Sequence, residues 1–140
     1  MNKAELPLKL LKEYFGYDTF RGHQEDIINR TIEGHDTLVI MPTGAGKSIC
    51  YQLPALIMDG TVIVVSPLIA LMQDQVDALT TAGIAAAALH SHQSDTSIKE
   101  ILGDFKNGKL KLLYVSPERA VSNYFQEQID LQKISLIAID

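Results

Sequence analysis

Short apolar runs alternate with segments of helical length along most of this chain. The apolar runs predict strands over 37–41, 61–66, 85–89, 110–115 and 136–140. Helices are predicted over 6–15, 21–33, 47–58, 68–82, 95–107 and 118–128, and glycines follow three of them as end signals. This alternation is typical of the α/β class, with a parallel sheet and helices on both faces. Because the last run ends at Asp140 without a turn, we expect a domain truncated at its C-terminal side.

A loop that carries glycines separates the first predicted strand from its helix. It comprises Thr43, Gly44, Ala45, Gly46, Lys47 and Ser48. In such a loop the glycines allow backbone N–H groups to face phosphate oxygens, while Lys47 reaches the β and γ phosphates and the Ser48 hydroxyl binds Mg²⁺. The usual motif begins with glycine where this chain has Met41. The sequence therefore predicts a variant phosphate loop that binds ATP or GTP.

The last predicted strand ends in a carboxylate, Asp140. Ligands of parallel α/β sheets lie at the carboxyl ends of the strands, so Asp140 falls where a partner of the phosphate loop is expected. An aspartate in this position helps to hold Mg²⁺. The pattern is weak alone, because many buried strands end in aspartate at a turn. Combined with Lys47, it predicts that both residues are catalytic and that Asp140 and Ser48 hold the metal.

The composition restricts the possible functions. The chain has 140 residues, of which 46% are hydrophobic and 21% charged, as in a globular protein with one core. No apolar run approaches the roughly 20 residues that cross a bilayer, and residues 1–11 do not resemble a secretion signal. We expect a cytoplasmic protein without a membrane role, associated with the nucleoid if bacterial. The single cysteine, Cys50, is predicted to be a small buried hydrophobe.

The charge balance argues against nucleic-acid binding by bulk electrostatics. Twelve Lys and Arg face seventeen Asp and Glu, for a net charge of −5. Any contact with nucleic acid must therefore be local, through hydroxyls and backbone amides at loop ends.

Four separated segments form motifs along the chain: FGYDTFRGHQ at 15–24, MPTGAGKS at 41–48 with CYQLP at 50–54, VSPLIALMQDQ at 65–75, and LYVSPER at 113–119. Together they resemble the RecQ family of superfamily 2 DNA helicases. The resemblance implies a P-loop NTPase fold of the RecA-like type. It divides the chain into N-terminal helices with an adenine-recognition motif, 1–36, and part of a RecA-like ATP-binding domain, 37–140.

The first of these segments implies an adenine site. Gln24 offers a carbonyl and an NH₂ group, which together match the N6 and N7 edge of adenine but not guanine. By resemblance, Tyr17 stacks on the adenine ring and Arg21 flanks it with its planar guanidinium. The alternative is that Phe15, Tyr17 and Phe20 simply pack the N-terminal helices together.

The third and fourth segments imply contacts with a DNA backbone. The candidate residues are Ser66, Pro67, Ser116 and Arg119. Hydroxyls and amides at helix starts suit phosphate oxygens, and Arg119 adds a positive charge. The alternative is that each Ser-Pro pair is an ordinary helix entry with proline in the first turn.

The implied parent protein is an ATP-dependent, Mg²⁺-requiring 3′-to-5′ DNA helicase that unwinds duplex DNA in recombination and repair. Its DNA would be a single-stranded tail joined to a duplex. The glutamate expected after Asp140 lies outside the chain, so we expect these 140 residues to bind nucleotide but not to turn it over usefully. Two alternatives remain, a P-loop small-molecule kinase and a non-catalytic nucleic-acid-binding module. His90 and His92 invite a metal-site interpretation with Asp95, but a solvated loop is the preferred interpretation.

Overall fold

The computed structural model describes residues 5–42 and 46–140. These residues form two compact units, Met1–Met58 and Asp59–Asp140. Residues 37–58 therefore group with the N-terminal helices, whereas the sequence predicted a division between 36 and 37.

The first unit is helical in its described part. Its elements are α1 (Leu6–Leu10), a π-helical turn (Leu11–Phe15), α2 (Gln24–Ile32) and α3 (Ile49–Ile57). Gly16 ends the π-helical turn with a φ of +75°, a left-handed conformation that glycine adopts without strain. Leu11, Ile28, Ile49 and Leu53 form the core between these helices. Cys50 is buried in α3, as predicted, and this burial raises the pKa of its thiol.

The strand predicted over 37–41 is wrong. The backbone of 35–42 has no regular structure, and Leu38 and Ile40 are 89% and 91% exposed. A continuous apolar run forms a strand only where a neighbouring strand accepts its backbone hydrogen bonds, and no described strand pairs with this segment.

The second unit is built on a parallel sheet. Its strands are β1 (Thr61–Val65), β2 (Ala86–Leu89), β3 (Leu112–Val115) and β4 (Ile134–Ile139), in the spatial order β2-β3-β1-β4. The described helices of this unit are α4 (Ile69–Thr81), α5 (Asp95–Lys106), α6 (Pro117–Ala120) and α7 (Asn123–Gln128), and a 3₁₀ turn (Leu131–Lys133) precedes β4. The α/β fold with a parallel sheet and packed helices is confirmed.

Apolar residues on both faces of the sheet are buried. On one face, Ile63 and Leu113 pack against Phe105 of α5 and Phe125 of α7. Their strand neighbours Val62, Val64, Leu112 and Tyr114 point to the other face and are fully buried. The strands therefore read as continuous apolar runs, as expected for a parallel sheet covered on both faces.

The single helix predicted over 118–128 is two helices. Ser122 interrupts it, because its hydroxyl accepts a hydrogen bond from the N–H of Phe125 at 3.2 Å and starts α7 as an N-cap. Such a bond competes with continuation of the preceding helix.

All four strands end at the same level, because their register is continuous from Val62 of β1 to the strand ends. Val115 lies beside both Leu89 and Val65, and Val65 lies beside Ile139. The residues that follow the strands are therefore neighbours in the order His90, Ser116, Ser66, Asp140. Each step along this strand-end row is about 4.8 Å, the spacing between strands.

Candidate nucleotide and nucleic-acid sites

The Gln24 side chain connects the N-terminal helices to the phosphate loop. Gln24 is only 3% exposed at the start of α2. Its Oε1 accepts a hydrogen bond from the backbone N–H of Arg21 at 2.8 Å, and its Nε2 donates to the carbonyl oxygen of Gly46 at 3.0 Å. The carboxamide predicted to recognise adenine thus contacts the loop predicted to bind phosphate.

Gly46 must be glycine to allow this contact. Its φ is +78°, and an added Cβ would lie 2.4 Å from Nε2 of Gln24. The same Cβ would lie 3.1 Å from Nη2 of Arg21, so the guanidinium also packs closely against this glycine. The three predicted residues Arg21, Gln24 and Gly46 are therefore together in the structure.

Lys47 and Ser48 lie at the start of α3. Lys47 is exposed. Ser48 occupies the N-cap position, and its carbonyl oxygen accepts the N–H of Gln52 at 2.9 Å, but its side chain makes no capping hydrogen bond. The Ser48 hydroxyl is thus not committed to the helix start. Thr43, Gly44 and Ala45, the other predicted loop residues, lie outside the described residues.

Of the three aromatic residues between α1 and α2 that the sequence singled out, two pack against the core and one is exposed to solvent. Phe15 and Phe20 pack against the core of the first unit. Tyr17 is instead 53% exposed. The packing alternative therefore holds for two of the three rings, and Tyr17 presents the exposed ring that stacking on adenine requires.

Ser116 is buried and acts as a helix cap. It is 3% exposed, and its hydroxyl accepts the N–H of Arg119 at 3.3 Å to start α6. The Ser116 side chain therefore has the role expected of an ordinary helix entry, the alternative to a contact with DNA. In contrast, Ser66 is half-buried and Pro67 is exposed, and Leu68 takes the N-cap position of α4.

Arg119 supports the turn that follows β2. Its Nη2 donates to the carbonyl oxygen of His90 at 3.2 Å. Gln93 holds the same turn, since its Oε1 accepts the N–H of His90 at 3.0 Å and its Nε2 donates to Ala88 at 2.7 Å. Neither role was predicted from the sequence. Arg119 lies 29 residues from His90, and only the pairing of β2 with β3 brings them together.

The surroundings of His90 favour its neutral form. Its Nδ1 accepts the backbone N–H of His92 at 3.3 Å, which a protonated Nδ1 could not do. Burial lowers its pKa from the ordinary value of 6.5, and the charges of His92 and Arg119 lower it further. Among the described residues no cluster of three histidines, cysteines or carboxylates could hold a metal.

Asp140 lies at the end of β4, in the second unit. It is exposed, and its backbone N–H donates to the carbonyl oxygen of Val65 at 2.9 Å. This places Asp140 at the carboxyl edge of the sheet, as the strand pattern predicted. Its pairing with Lys47 and Ser48 around a metal remains a prediction.

Comparison with known proteins identifies a helicase family. The family model for DEAD/DEAH box helicases matches residues 21–140. The ATP-dependent DNA helicase RecQ of Haemophilus influenzae is 50% identical over 95% of this chain, and that of Bacillus subtilis is 52% identical over 94%. The chain spans 22% of the length of each, and the predicted resemblance to RecQ helicases is confirmed.

A solved structure supports the fold. The structure of a hypothetical ATP-dependent RNA helicase from Sulfolobus tokodaii matches with a TM-score of 0.74 at 20% identity, over 100% of this chain and 41% of that one. Within the described residues, no helix is long and apolar enough to span a bilayer. Since the family match covers 21–140, the chain belongs to the DEAD/DEAH box helicase family.

Proposed function

We propose that this chain is the ATP-binding part of a RecQ-type DNA helicase, which moves 3′ to 5′ and unwinds duplex DNA in recombination and repair. The observation that carries the proposal is the hydrogen bond between Gln24 and Gly46, which joins the predicted adenine reader to the phosphate loop. The similarity to RecQ proteins along 95% of the chain supports the same assignment.

Adenine recognition would use groups already gathered in the first unit. The Gln24 carboxamide carries two N–H donors and one carbonyl, so it can keep a bond to the loop while it reads the adenine edge. Tyr17 supplies an exposed ring, and the Arg21 guanidinium lies against Gly46. This arrangement favours ATP over GTP.

The phosphates and Mg²⁺ would be held by Lys47, Ser48 and Asp140. The donor set fits a hard cation, because Mg²⁺ prefers hydroxyl, carboxylate and phosphate oxygens. When bound, Mg²⁺ neutralises charge on the β and γ phosphates. Lys47 adds positive charge at the γ phosphate, and the exposed position of its side chain permits that reach.

The DNA contact is proposed at the strand-end row. Ser66 and Pro67 are accessible there, and Ser116 and Arg119 shape the neighbouring turns. Backbone amides and hydroxyls can bind phosphates despite the net charge of −5. We place the parent protein in the cytoplasm, or on the nucleoid of a bacterium.

Membership of the helicase family leaves the kinase alternative without support. The non-catalytic nucleic-acid-binding module differs from a helicase in one measurable property. DNA should stimulate ATP hydrolysis by the parent helicase, whereas a passive binder has no hydrolysis to stimulate.

Calorimetric titration of this chain with Mg·ATP tests the proposal. We expect binding that is selective over GTP. Lys47→Ala should weaken it by about tenfold to a hundredfold, since a hydrogen bond to a charged group contributes about 1.5–3 kcal/mol. Lys12→Ala, at an exposed lysine of the same unit, is the matched control and should bind normally. Equal affinity for GTP, or unchanged binding by Lys47→Ala, would contradict the proposal.

A further inference from the structure

We propose that a lysine-lined pocket in the second unit binds a small anion with several phosphate groups. The pocket has a volume of about 370 Å³, and Gly60, Lys106, Asn107, Gly108, Lys111 and Lys133 line it. It lies where β1 and β3 begin, at the sheet edge opposite the strand-end row. The pocket shares no residue with the proposed nucleotide and DNA sites.

The lining of the pocket is positively charged, whereas the chain as a whole is negatively charged. Three lysines line it, and no Asp or Glu is among the described lining residues, although the chain carries a net charge of −5. An ammonium group is a compact point charge that suits phosphate oxygens from several directions. Its volume falls within the range of small-molecule sites and exceeds the needs of a single phosphate. A polyphosphate or nucleotide-sized anion therefore fits its charge and size.

Two of the three ammonium groups are fixed in place. The Lys133 ammonium donates to the carbonyl oxygen of Lys106, and the Lys106 ammonium donates to Oε1 of Gln128 at 2.6 Å. Lys111 is half-buried, and its ammonium has no hydrogen bond or ion pair within the described part of the chain. A bound anion would thus contact the ammonium groups of Lys106 and Lys133, and it would provide a partner for the ammonium group of Lys111.

The backbone carbonyl groups at the C-terminal end of α5 have hydrogen-bond partners, so they do not repel an anion as unpaired carbonyl groups would. The carbonyl oxygens of Gly103, Asp104 and Phe105 accept the N–H groups of Asn107, Lys109 and Gly108, at 2.9–3.0 Å. The Lys106 carbonyl is taken by Lys133. The negative end of this helix is therefore largely satisfied internally, and lysine charge dominates the pocket.

Gly60 brings β1 and the 3₁₀ turn together at the pocket wall. Its φ is +99°, and an added Cβ would lie 2.7 Å from the carbonyl oxygen of Lys133. The close approach fixes the Lys133 backbone beside the start of β1. The wall of the pocket is thus built from tightly packed backbone as well as from long side chains.

Amide chemical shifts measured during titration with inorganic tripolyphosphate test the proposal. The 140-residue chain carrying Lys47→Ala is used, so that phosphate-loop binding does not interfere. We expect saturable shifts at the amides of Gly60, Asn107 and Gly108. Lys111→Gln should weaken the affinity by up to about fivefold, the size of one solvent-accessible charge pair. A failed ATP titration would not affect this result, because the two sites share no residue.

Lys109→Gln is the matched control, because Lys109 is exposed beside the pocket but does not line it. It should leave the affinity unchanged. Should Lys111→Gln prove unfolded by its amide spectrum, Lys133→Gln replaces it. The proposal is overturned if tripolyphosphate shifts none of the three amides in the folded chain. Equal weakening by the pocket and control variants at physiological salt would overturn it as well.

Discussion

Gln24 makes two hydrogen bonds with its buried side chain, and both partners are backbone groups. They are the N–H of Arg21 and the carbonyl of Gly46. Truncation to alanine would remove both bonds and leave these backbone groups unsatisfied. The residue therefore has a structural role in addition to its proposed contact with adenine.

Gln24→Ala should lower the free energy of unfolding by about 1–3 kcal/mol, the cost of buried polar groups without partners. Urea denaturation of the two chains measures this difference. Gln73→Ala is the control, since Gln73 is exposed on α4 and its side-chain amide donates a hydrogen bond to Asp77. An effect of Gln24→Ala no larger than that of the control would show that water replaces the lost bonds.

At the residue scale, the sequence named Gln24 and Gly46 but not their bond. The two residues are 22 positions apart, and their contact depends on how α2 packs against α3. Local pattern carries no information on such packing. The capping role of Ser116 was different, because the Ser-Pro pair already indicated a helix entry.

The turn between β2 and α5 is built around a neutral histidine. Nδ1 of His90 accepts a hydrogen bond from the backbone N–H of His92, and the charges of His92 and Arg119 lower the pKa of His90. The pKa of His90 is lower in the folded chain than in the unfolded one, so the unfolded chain binds more protons as pH falls below 6.5. Protonation therefore favours unfolding, and stability rises with pH in this window.

His90→Asn should reduce the loss of thermal stability between pH 7.5 and pH 5.5. Asparagine keeps an acceptor for the His92 N–H but cannot be protonated in this range. Melting temperatures at the two pH values give the comparison. His23→Asn, at an exposed histidine of the first unit, should retain the full pH dependence. If both variants behave alike, the acid sensitivity arises elsewhere.

At the element scale, the sequence predicted most of the helices and the buried strands well because their signals are local. Gly60, Gly83 and Gly108 follow helix ends with φ values of +99°, +89° and +71°. The strand prediction for 37–41 was wrong because a strand needs a neighbouring strand to pair with, and a local run of apolar residues does not reveal one. Partner availability is a property of the whole sheet.

Across the whole molecule, the sheet has an accessible apolar edge strand. Of the described strands, β4 pairs only with β1, and Ile139 is 83% exposed. Unpaired backbone groups beside exposed apolar side chains favour association between chains. We therefore expect this chain to self-associate as its concentration rises.

Ile139→Lys should suppress that association and change the free energy of unfolding by no more than about 0.5 kcal/mol, as expected at an exposed site. Sedimentation velocity over a range of concentrations measures the effect. Leu131→Lys, at another exposed apolar residue outside the strand, is the control. Equal suppression by both variants would assign the association to general hydrophobicity.

Because the four strands end at the same level, the distances between the residues that follow them do not depend on which side chains these residues carry. His90, Ser116, Ser66 and Asp140 are neighbours because of backbone register, not because of contacts between their side chains. Amino-acid exchanges at these positions can thus alter chemistry and leave the distances unchanged. A one-residue insertion or deletion within a strand would instead turn its buried side chains to the opposite face. A substitution at this edge therefore changes the chemistry of one position, whereas a change in strand length disrupts the arrangement of the whole row.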